Sequence, residues 1–563
     1  MSCSRSWPAR RVEVSPDPVP GSGSAYSNSQ RHCTRRPRSC AADHRSLTRP
    51  HSTETPVKKT PTPDQPPATE RPPKKFGVEH RSIGFVPTTE RYGRPLNQFT
   101  LWFGSNLQVT AVVTGALAVV LGGDVVWSII GLLLGQVLGG VVMALHSVQG
   151  PRLGLPQMIS SRAQFGVYGA MIPLVLVVVM YTGFAAGGSV LAGQAVAGII
   201  HSSHWLGIVI FGAATAVIAI IGYRLIHVMG RLSSIIGFLA FAYLTYRLLA
   251  GADLGMLFSH SSFSLAGFLL AMSLSASWQI AYGPYVADYS RYLPAETAAW
   301  KTFGATFSGS VIASQWSMTF GVFAAALAGP AFVDNEVGFI VSLGGAGVIA
   351  TVLYCVIALG KLTVNVLNAY GGFMSLVTTV TGFLGHREIP QRARVACVAV
   401  IMLCATVIAL LASDNFLTSF STFLLFLLAF FTPWSAINLV DFYCVTKEDY
   451  DVPALTDPDG RYGRWNTVAL TTYAVGLIAQ LPFLYTSFYS GPMVAVLGHT
   501  DISWIVGLIV PGAIYYVWAR RDRSMVPDRL ILPGDESAPD DQHTVVESAG
   551  VDGILTHVPA RQA

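Results

Sequence analysis

Long runs of apolar residues recur along the chain between residues 96 and 519, separated by short polar segments. Each run approaches the ~20 residues that a helix needs to cross the hydrocarbon layer of a membrane. The runs lack the strict alternation of a membrane β-barrel strand, so their backbone groups must be satisfied within helices. The pattern predicts twelve membrane-spanning helices, called spans 1 to 12, at residues 97–121, 126–148, 169–199, 205–227, 232–251, 265–287, 303–329, 346–380, 396–412, 416–440, 467–487 and 501–519.

The composition supports the same class of protein. Hydrophobic residues make up 52% of the 563 residues and charged residues only 12%, whereas soluble proteins contain about a quarter charged residues. Most of the chain therefore cannot face water. The expected fold class is an all-α integral membrane protein.

Basic residues concentrate in alternate loops, which predicts the orientation. With a cytoplasmic N-terminus, the inward loops contain basic residues such as Arg152 and Arg464, whereas the outward loops contain acidic residues such as Asp124 and Asp414. The positive-inside rule then places both termini in the cytoplasm of a multi-pass protein of the plasma membrane. An even number of spans requires the same arrangement.

The two ends of the chain differ in composition from its middle. Residues 1–80 are basic and rich in Pro, Ser and Thr, as in "KKTPTPDQPPATERPPKK", and are nearly free of large aliphatic residues. Such a segment cannot bury enough apolar surface to fold, so we expect a disordered tail that either contacts anionic lipid or stays in solvent. Residues 524–563 are predicted as a second disordered tail. The membrane domain is therefore predicted at residues 81–523.

Spans 1 and 6 contain matching interruptions. Span 1 contains "LWFGSNLQVT" and span 6 contains "SWQIAYGPYV", five spans later, and both place glycine and an amide beside large aromatic residues. Transporters built from inverted repeats use broken helices in corresponding positions to line a polar site at the middle of the membrane. The pair predicts broken helices in spans 1 and 6, although a simple proline kink at Pro284 is the alternative for span 6.

Other chemistries find little support in the sequence. The seven cysteines are scattered without a metal-ligand spacing, and there is no phosphate-binding glycine loop or nucleophile elbow. A channel requires a filter repeated around an axis, and a membrane-embedded enzyme requires a catalytic pair; the sequence of the spans shows neither pattern. We therefore expect a transporter without a bound cofactor rather than an enzyme, with a non-transporting receptor as the remoter alternative.

Four stretches resemble one known family. They are "GPRLGLPQMISSRAQFG" at 150–166, "GYRLIHVMGR" at 222–231, "YVADYSRYLP" at 285–294 and "PWSAINLVDFY" at 433–443. They are similar to the purine-cytosine permease branch of the nucleobase:cation symporter family, and the resemblance extends from about residue 82 to 523. It implies a twelve-helix, LeuT-type transporter with a five-plus-five inverted repeat and two extra helices.

The same resemblance implies an activity. A symporter of this family would import a nucleobase such as cytosine or a purine together with a proton or a sodium ion. A related heterocycle, such as hydantoin, allantoin or a ring-containing vitamin, is the alternative substrate. No nucleic acid and no obligate protein partner is expected, and the lipid bilayer is the only other partner.

A nucleobase is a flat ring with donors and acceptors around its edge, so its binding requires aromatic faces and amides at the rim. In the family that the chain resembles, the aromatic residues come from spans 3 and 6 and the amides from spans 1, 3 and 8, although an amide near Ala185 is missing here. For each amide, a hydrogen bond to a neighbouring helix is the alternative role. The expected substrate-binding residues are Tyr181, Phe184, Trp278, Tyr282, Asn106, Gln108, Asn365 and Asn368.

Lys361 is a basic residue deep within span 8, where a charge costs about 2.5–3.5 kcal/mol on insertion scales. Sodium-driven relatives hold the ion between span 1 carbonyls and span 8 hydroxyls, and the matching positions here are 104–107, with Gly104 and Leu107, and Thr363. Val364 offers no second hydroxyl. The sequence therefore favours proton coupling, with Lys361 replacing the cation or exchanging a proton. The alternative is that Lys361 extends to the interface or pairs with carbonyls.

Overall fold

The computed structural model describes residues 84–221, 223–258, 261–384, 390–521 and 523–534. The predicted N-terminal tail at 1–80 lies outside the described residues. Within them the chain is helical, and the β-pairing consists of two isolated bridges, Asp451 with Ile531 and Tyr485 with Ser490. The all-α fold class is confirmed.

Each predicted span corresponds to a helix or a pair of helices. In order, spans 1 to 12 are Pro95–Asn106 with Val109–Val120, Val125–Leu153, Met171–Ile200, His204–Ile221, Tyr223–Gly251, Leu265–Ile280 with Gly283–Ser290, Ala299–Ala328, Val348–Leu384, Gln391–Ala412, Phe416–Val440, Thr467–Gln480 and Ser503–Ala519. A short helix, Thr88–Glu90, precedes span 1. Further short helices lie between the spans at Gln157–Ser160, Arg162–Phe165, Leu254–Phe258, Ala331–Asp334, Glu336–Gly344, Ser413–Asn415, Asp441–Val445, Pro453–Thr456, Leu481–Phe483 and Pro492–Val496.

Seven helical segments of the described chain are long and apolar enough to cross a membrane, and the bent pair of span 1 makes an eighth. One of the seven, Gln391–Val445, has 55 residues, which at 1.5 Å per residue is too long for one crossing. It contains spans 9 and 10, joined at Ser413–Asn415. Spans 4, 11 and 12 are shorter apolar helices, so the number of twelve crossings stays a prediction.

The interruption in span 1 is a real change of direction. Pro95–Asn106 and Val109–Val120 meet at 59°. Between them Leu107 and Gln108 leave the helical region, with φ/ψ of −83°/72° and −145°/154°. Backbone groups at such a break lose their helical partners and become available to line a cavity.

The interruption in span 6 is milder than the expected break. Ala281 and Tyr282 keep helical dihedrals, and Leu265–Ser290 remains one span. Pro284 lies in the first turn of Gly283–Ser290, where its missing N–H costs no helical hydrogen bond. Gly283 serves packing instead, because an added side-chain carbon would lie 3.2 Å from the imidazole of His146 and 3.4 Å from the Trp434 ring.

Spans 1 and 7 pack through glycines. A side-chain carbon added at Gly115 would overlap the backbone of Met318, and one added at Gly321 would overlap the backbone of Val112. Close approach of helix backbones through small residues is a common means of association in membranes. This contact fixes span 7 beside the second half of span 1.

Two of the stretches that carry the family resemblance meet in a buried polar chain. Gln149, at the end of span 2, donates to Asn438 (2.7 Å), and Asn438 donates to Gln164 (3.0 Å). Gln164 in turn donates to the Asp441 carboxylate (2.7 Å), which also accepts from the Tyr450 hydroxyl (2.6 Å). A satisfied buried network of this kind specifies one packing arrangement. These motif residues therefore hold span 2, the segment before span 3 and span 10 together.

The C-terminal boundary of the membrane domain is a correction to the sequence analysis, which began the disordered tail at 524. The structure describes the chain to residue 534, and Ile531 exchanges backbone hydrogen bonds with the loop between spans 10 and 11: its N–H donates to Tyr450 (2.8 Å), and its carbonyl accepts from Val452 (3.0 Å). Leu530 and Leu532 pack against the apolar cluster of that loop. The polar composition of the segment does not predict these long-range contacts.

Candidate functional site

A cavity of about 110 Å³ lies beside the break in span 1. On the same measure one water molecule requires roughly 10–15 Å³, so the cavity has room for a group much larger than water. Four spans line it: span 1 with Leu101, Trp102, Ser105, Gln108 and Thr110; span 3 with Tyr181 and Phe184; span 6 with Trp278, Tyr282, Tyr285 and Tyr289; and span 8 with Lys361, Val364, Leu367 and Asn368.

The aromatic side chains of the cavity contact one another mainly by their edges. The Trp278 ring is 5.8 Å from that of Phe184 at 85° and 6.1 Å from that of Tyr282 at 88°. The Tyr181 ring is tilted by 40° against Tyr285 at 5.3 Å. In a T-shaped contact the edge of one ring lies against one face of the other, so none of these three pairs is stacked face to face. All four predicted aromatic residues line the cavity.

The sequence analysis missed three aromatic residues of the site: Trp102, Tyr285 and Tyr289. Trp102 contacts Tyr282 at 5.2 Å and Tyr289 at 5.6 Å between ring centroids. A signal for the tyrosines was present, since Tyr282, Tyr285 and Tyr289 have the spacing i, i+3, i+7 of one helix face. Trp102 had no such signal, because its place depends on the bend of span 1.

The four predicted amides divide into two groups. Gln108 and Asn368 line the cavity, whereas Asn106 and Asn365 do not. The side-chain nitrogen of Asn365 donates to the Ala185 carbonyl at 2.8 Å and to the Ser189 hydroxyl at 3.2 Å, both in span 3. Asn365 therefore connects two helices, which was the alternative role for each amide.

Asn368 has the opposite character. Its side-chain nitrogen is buried without a hydrogen-bond partner in the structure, and the residue lines the cavity. A buried N–H group without an acceptor is costly, so such groups are rare unless a ligand or water satisfies them. Asn368 thus offers the cavity a free donor.

Lys361 extends from span 8 to the break in span 1. Its ammonium donates to the Gln108 side-chain oxygen at 3.1 Å and to the Thr110 hydroxyl at 3.3 Å. Among the residues that line this cavity in the described part of the chain, Lys361 alone carries a charge. Gly188 of span 3 makes room for it, since an added carbon would lie 2.8 Å from the Lys361 Cε atom.

The positions that match the ion site of sodium-driven relatives lie against span 5. The Thr363 hydroxyl is 3.0 Å from the Ser233 hydroxyl and donates to the Leu359 carbonyl at 3.0 Å. A carbon added at Gly104 would lie 3.3 Å from the Ser234 hydroxyl oxygen. Leu107 forms part of the break itself. The neighbourhood of Thr363 therefore includes span 5 hydroxyls that the sequence analysis did not consider, while Lys361 contacts the other half of span 1.

Comparison with known proteins decides the family. A family model described as "Permease for cytosine/purines, uracil, thiamine, allantoin" matches residues 85–507. The chain belongs to this family. The resemblance found in the sequence is thereby confirmed, and the relatives of this permease are transporters rather than enzymes.

Two relatives illustrate the range of the family. This permease is 38% identical over 440 residues to the protein named purine-cytosine permease YxlA of Bacillus subtilis, an alignment that covers 78% of this chain and 95% of that protein. It is 24% identical over 478 residues to the hydantoin permease of Microbacterium maritypicum, covering 80% of this chain and 93% of that protein.

Solved structures agree on the fold. The inward-facing form of Mhp1 superposes on this permease with a TM-score of 0.66 at 20% identity, covering 81% of this chain and 97% of that one. The closed form of Mhp1 with bromovinylhydantoin bound gives 0.62 at 21% identity, covering 80% and 97%. At these identities the likeness shows the fold alone, and it confirms the LeuT-type architecture.

Proposed function

We propose that this permease imports a nucleobase, such as cytosine or a purine, by binding it in the cavity beside the break in span 1. The observation that carries the proposal is the lining: seven aromatic side chains surround a space in which the Asn368 nitrogen lacks an acceptor. The relative with 38% identity, named as a purine-cytosine permease, supports the same substrate class.

The lining matches the chemistry of such a ligand. Stacking on an aromatic face contributes roughly 1–3 kcal/mol per base in nucleic-acid sites. The free N–H of Asn368 requires an acceptor, which a ring nitrogen or an exocyclic carbonyl of cytosine or a purine supplies. Part of the hydrogen-bonding capacity of Gln108 is already used, because its nitrogen donates to the Ser105 carbonyl at 2.7 Å and its oxygen accepts from Lys361. Asn368 is therefore the amide with the most freedom to select a ligand edge.

Hydantoin or allantoin is the second candidate substrate. The relative of Microbacterium maritypicum is named as a hydantoin permease, and the family description includes allantoin. Both molecules present carbonyl acceptors on a compact ring, so Asn368 and the aromatic lining would suit them too. Competition between unlabelled ligands separates the two candidates.

We further propose that protons drive the uptake through Lys361. The hydrogen bonds of its ammonium go to neutral partners, Gln108 and Thr110. A buried ammonium surrounded by neutral groups is costly, and a lysine in such a place can release and regain a proton. From the distribution of basic residues, we place the permease in the plasma membrane with both termini in the cytoplasm.

Uptake of radiolabelled cytosine into proteoliposomes tests the proposal. We expect unlabelled adenine and cytosine to compete, hydantoin and allantoin to compete poorly, and an imposed inward proton gradient to drive accumulation without sodium. If hydantoin competes and adenine does not, the second candidate substrate class is the correct one. Binding of cytosine without uptake under either gradient would contradict transport and point to a receptor.

A further inference from the structure

Asn106 is the last residue of Pro95–Asn106, and its side chain is fully buried at the break of span 1. Its oxygen accepts three hydrogen bonds: from the Trp278 indole N–H at 2.6 Å, from the Tyr282 hydroxyl at 3.0 Å and from the Ser314 hydroxyl at 2.8 Å. Two of these three donors are aromatic residues that line the cavity. A single amide oxygen therefore holds the polar edges of both rings.

The nitrogen of the same amide is also occupied. It donates to the Trp102 carbonyl at 2.7 Å and to the Ser310 hydroxyl at 3.1 Å. A carboxamide has two N–H donors and two oxygen lone pairs, so these five contacts use all of its hydrogen-bonding capacity. Asn106 has no group left for a ligand, and it does not line the cavity.

A second layer holds this amide in place. Ser310 donates to the Gln279 side-chain oxygen at 2.7 Å, and Gln279 donates to Ser314 at 3.3 Å and to Gln136. The Asn106 amide can therefore rotate only if several buried hydrogen bonds break together. Such a network keeps its members in one arrangement.

We propose that Asn106 is a positioning residue: it sets the orientation of the Trp278 and Tyr282 rings and so determines which flat ligands the cavity accepts, without touching the ligand. The physical basis is that the stacking energy depends on how well two faces overlap, and a ring released from its edge anchor samples other orientations. The proposal rests on the proposed function, since it concerns the same cavity.

The first test is a double-mutant cycle on ligand binding. Purified full-length permease is titrated with cytosine, adenine and hydantoin as wild type, Asn106→Ala, Tyr282→Phe and the double variant. We expect Asn106→Ala to weaken cytosine binding by about tenfold and to change the ranking of the three ligands. Because Asn106 acts partly through the Tyr282 hydroxyl, Tyr282→Phe should add little to the effect of Asn106→Ala. Effects that multiply in the double variant would overturn the proposal, since they would mean that the Tyr282 hydroxyl acts on the ligand independently of Asn106.

Ser317→Ala is the matched control. The Ser317 hydroxyl donates to the main-chain oxygen of Asn106 at 2.8 Å, so this variant loses a buried hydrogen bond at the same residue but leaves the carboxamide contacts in place. We expect an unchanged ligand ranking. A change equal to that of Asn106→Ala would show a general structural effect and would contradict positioning. If Asn106→Ala does not fold, Tyr282→Phe, which keeps the ring and loses its anchor, should change the ranking, and wild-type ranking would overturn the proposal.

A measurement without ligand separates this proposal from the proposed function. Permease labelled with 5-fluorotryptophan gives fluorine resonances, and the one missing in Trp278→Phe identifies Trp278 among the eleven tryptophans. We expect one sharp resonance in wild type and a broadened or split one in Asn106→Ala. An unchanged resonance refutes the anchoring. Failure of the wild type to bind any of the three ligands refutes the proposed function instead, while the resonance still decides the role of Asn106.

Discussion

The Lys361 ammonium lies 3.1 Å from the side-chain oxygen of Gln108, so a lysine of span 8 forms a hydrogen bond with a residue at the break of span 1. In transporters built from inverted repeats, alternating access moves one repeat or bundle against the other, and spans 1 and 8 belong to different repeats of the five-plus-five arrangement. A group that contacts both is well placed to respond to occupancy of the cavity. The contact joins the proposed coupling group to the proposed binding site.

Replacement of Lys361 tests the coupling. We expect Lys361→Ala to abolish accumulation driven by a proton gradient while cytosine binding changes by less than about threefold, because Lys361 would carry the proton and not the base. Uptake by proteoliposomes under separate proton and sodium gradients is the measurement. Lys301→Ala is the control, since Lys301 is an exposed lysine beside Trp300 outside the cavity. Strict sodium dependence that persists in Lys361→Ala would refute the lysine hypothesis.

Truncation of the stacking residues should weaken binding. Trp278→Ala and Tyr282→Ala each remove an aromatic face from the cavity, and we expect a loss of about 1–3 kcal/mol, about tenfold to a hundredfold in the dissociation constant of cytosine. Trp300→Ala is the matched control, because the Trp300 side chain is 71% exposed. Equilibrium binding in detergent measures all three. Unchanged cytosine and adenine affinities in both cavity variants would remove the proposed site.

The two asparagines of span 8 should behave differently. Asn368→Ala removes the free donor of the cavity, and we expect a loss of about 0.5–1.5 kcal/mol in binding, with the largest change for ligands that place an acceptor there. Asn368→Asp should alter the ranking further, because it replaces the N–H donors with acceptor oxygens. Asn365→Ala breaks the contacts to Ala185 and Ser189, so it should lower the unfolding temperature and leave the ranking intact. Competition assays that give the reverse pattern would show that the two roles are exchanged.

The glycine contact between spans 1 and 7 predicts a stability difference. Gly115→Ala would force a methyl group into the backbone of Met318, and overpacking of this kind costs about 1–3 kcal/mol. Gly304→Ala, also within a membrane helix, meets open space, so we expect no loss of stability. Thermal unfolding in detergent compares the two variants. Equal melting temperatures would show that spans 1 and 7 accommodate the added methyl group without a loss of stability.

Asp288 and Arg291 should support the structure and not the ligand. The Asp288 carboxylate accepts from the backbone N–H of Gln157 at 2.8 Å, and the Arg291 guanidinium donates to the Gly84 carbonyl at 3.1 Å. Neither residue lines the cavity. We expect Asp288→Asn and Arg291→Gln to reduce the amount of folded protein or the transport rate more than substrate affinity. An altered substrate ranking in either variant would contradict this assignment.

Much of the site could be predicted from the sequence, because its signals are local. The four predicted aromatic residues line the cavity together with Gln108, Asn368 and Lys361. Each stands out as a polar or aromatic residue within an apolar run. Of the missed residues, Tyr285 and Tyr289 had a spacing signal within a span rich in aromatic residues, whereas Trp102 had none, because its place depends on the bend of span 1.

By itself, the sequence determined the helices and the family, because the length of an apolar run and the residues of a motif do not depend on packing. Only the tertiary structure decided which amide faces the cavity: Asn106 and Asn365 are turned to protein partners, whereas Asn368 keeps a free donor. The same holds for the attachment of residues 523–534 to the loop between spans 10 and 11. The physical reason is that the rotation of a helix about its axis is set by contacts with spans far away in the chain, and these contacts leave no mark on the local pattern of apolar and polar residues.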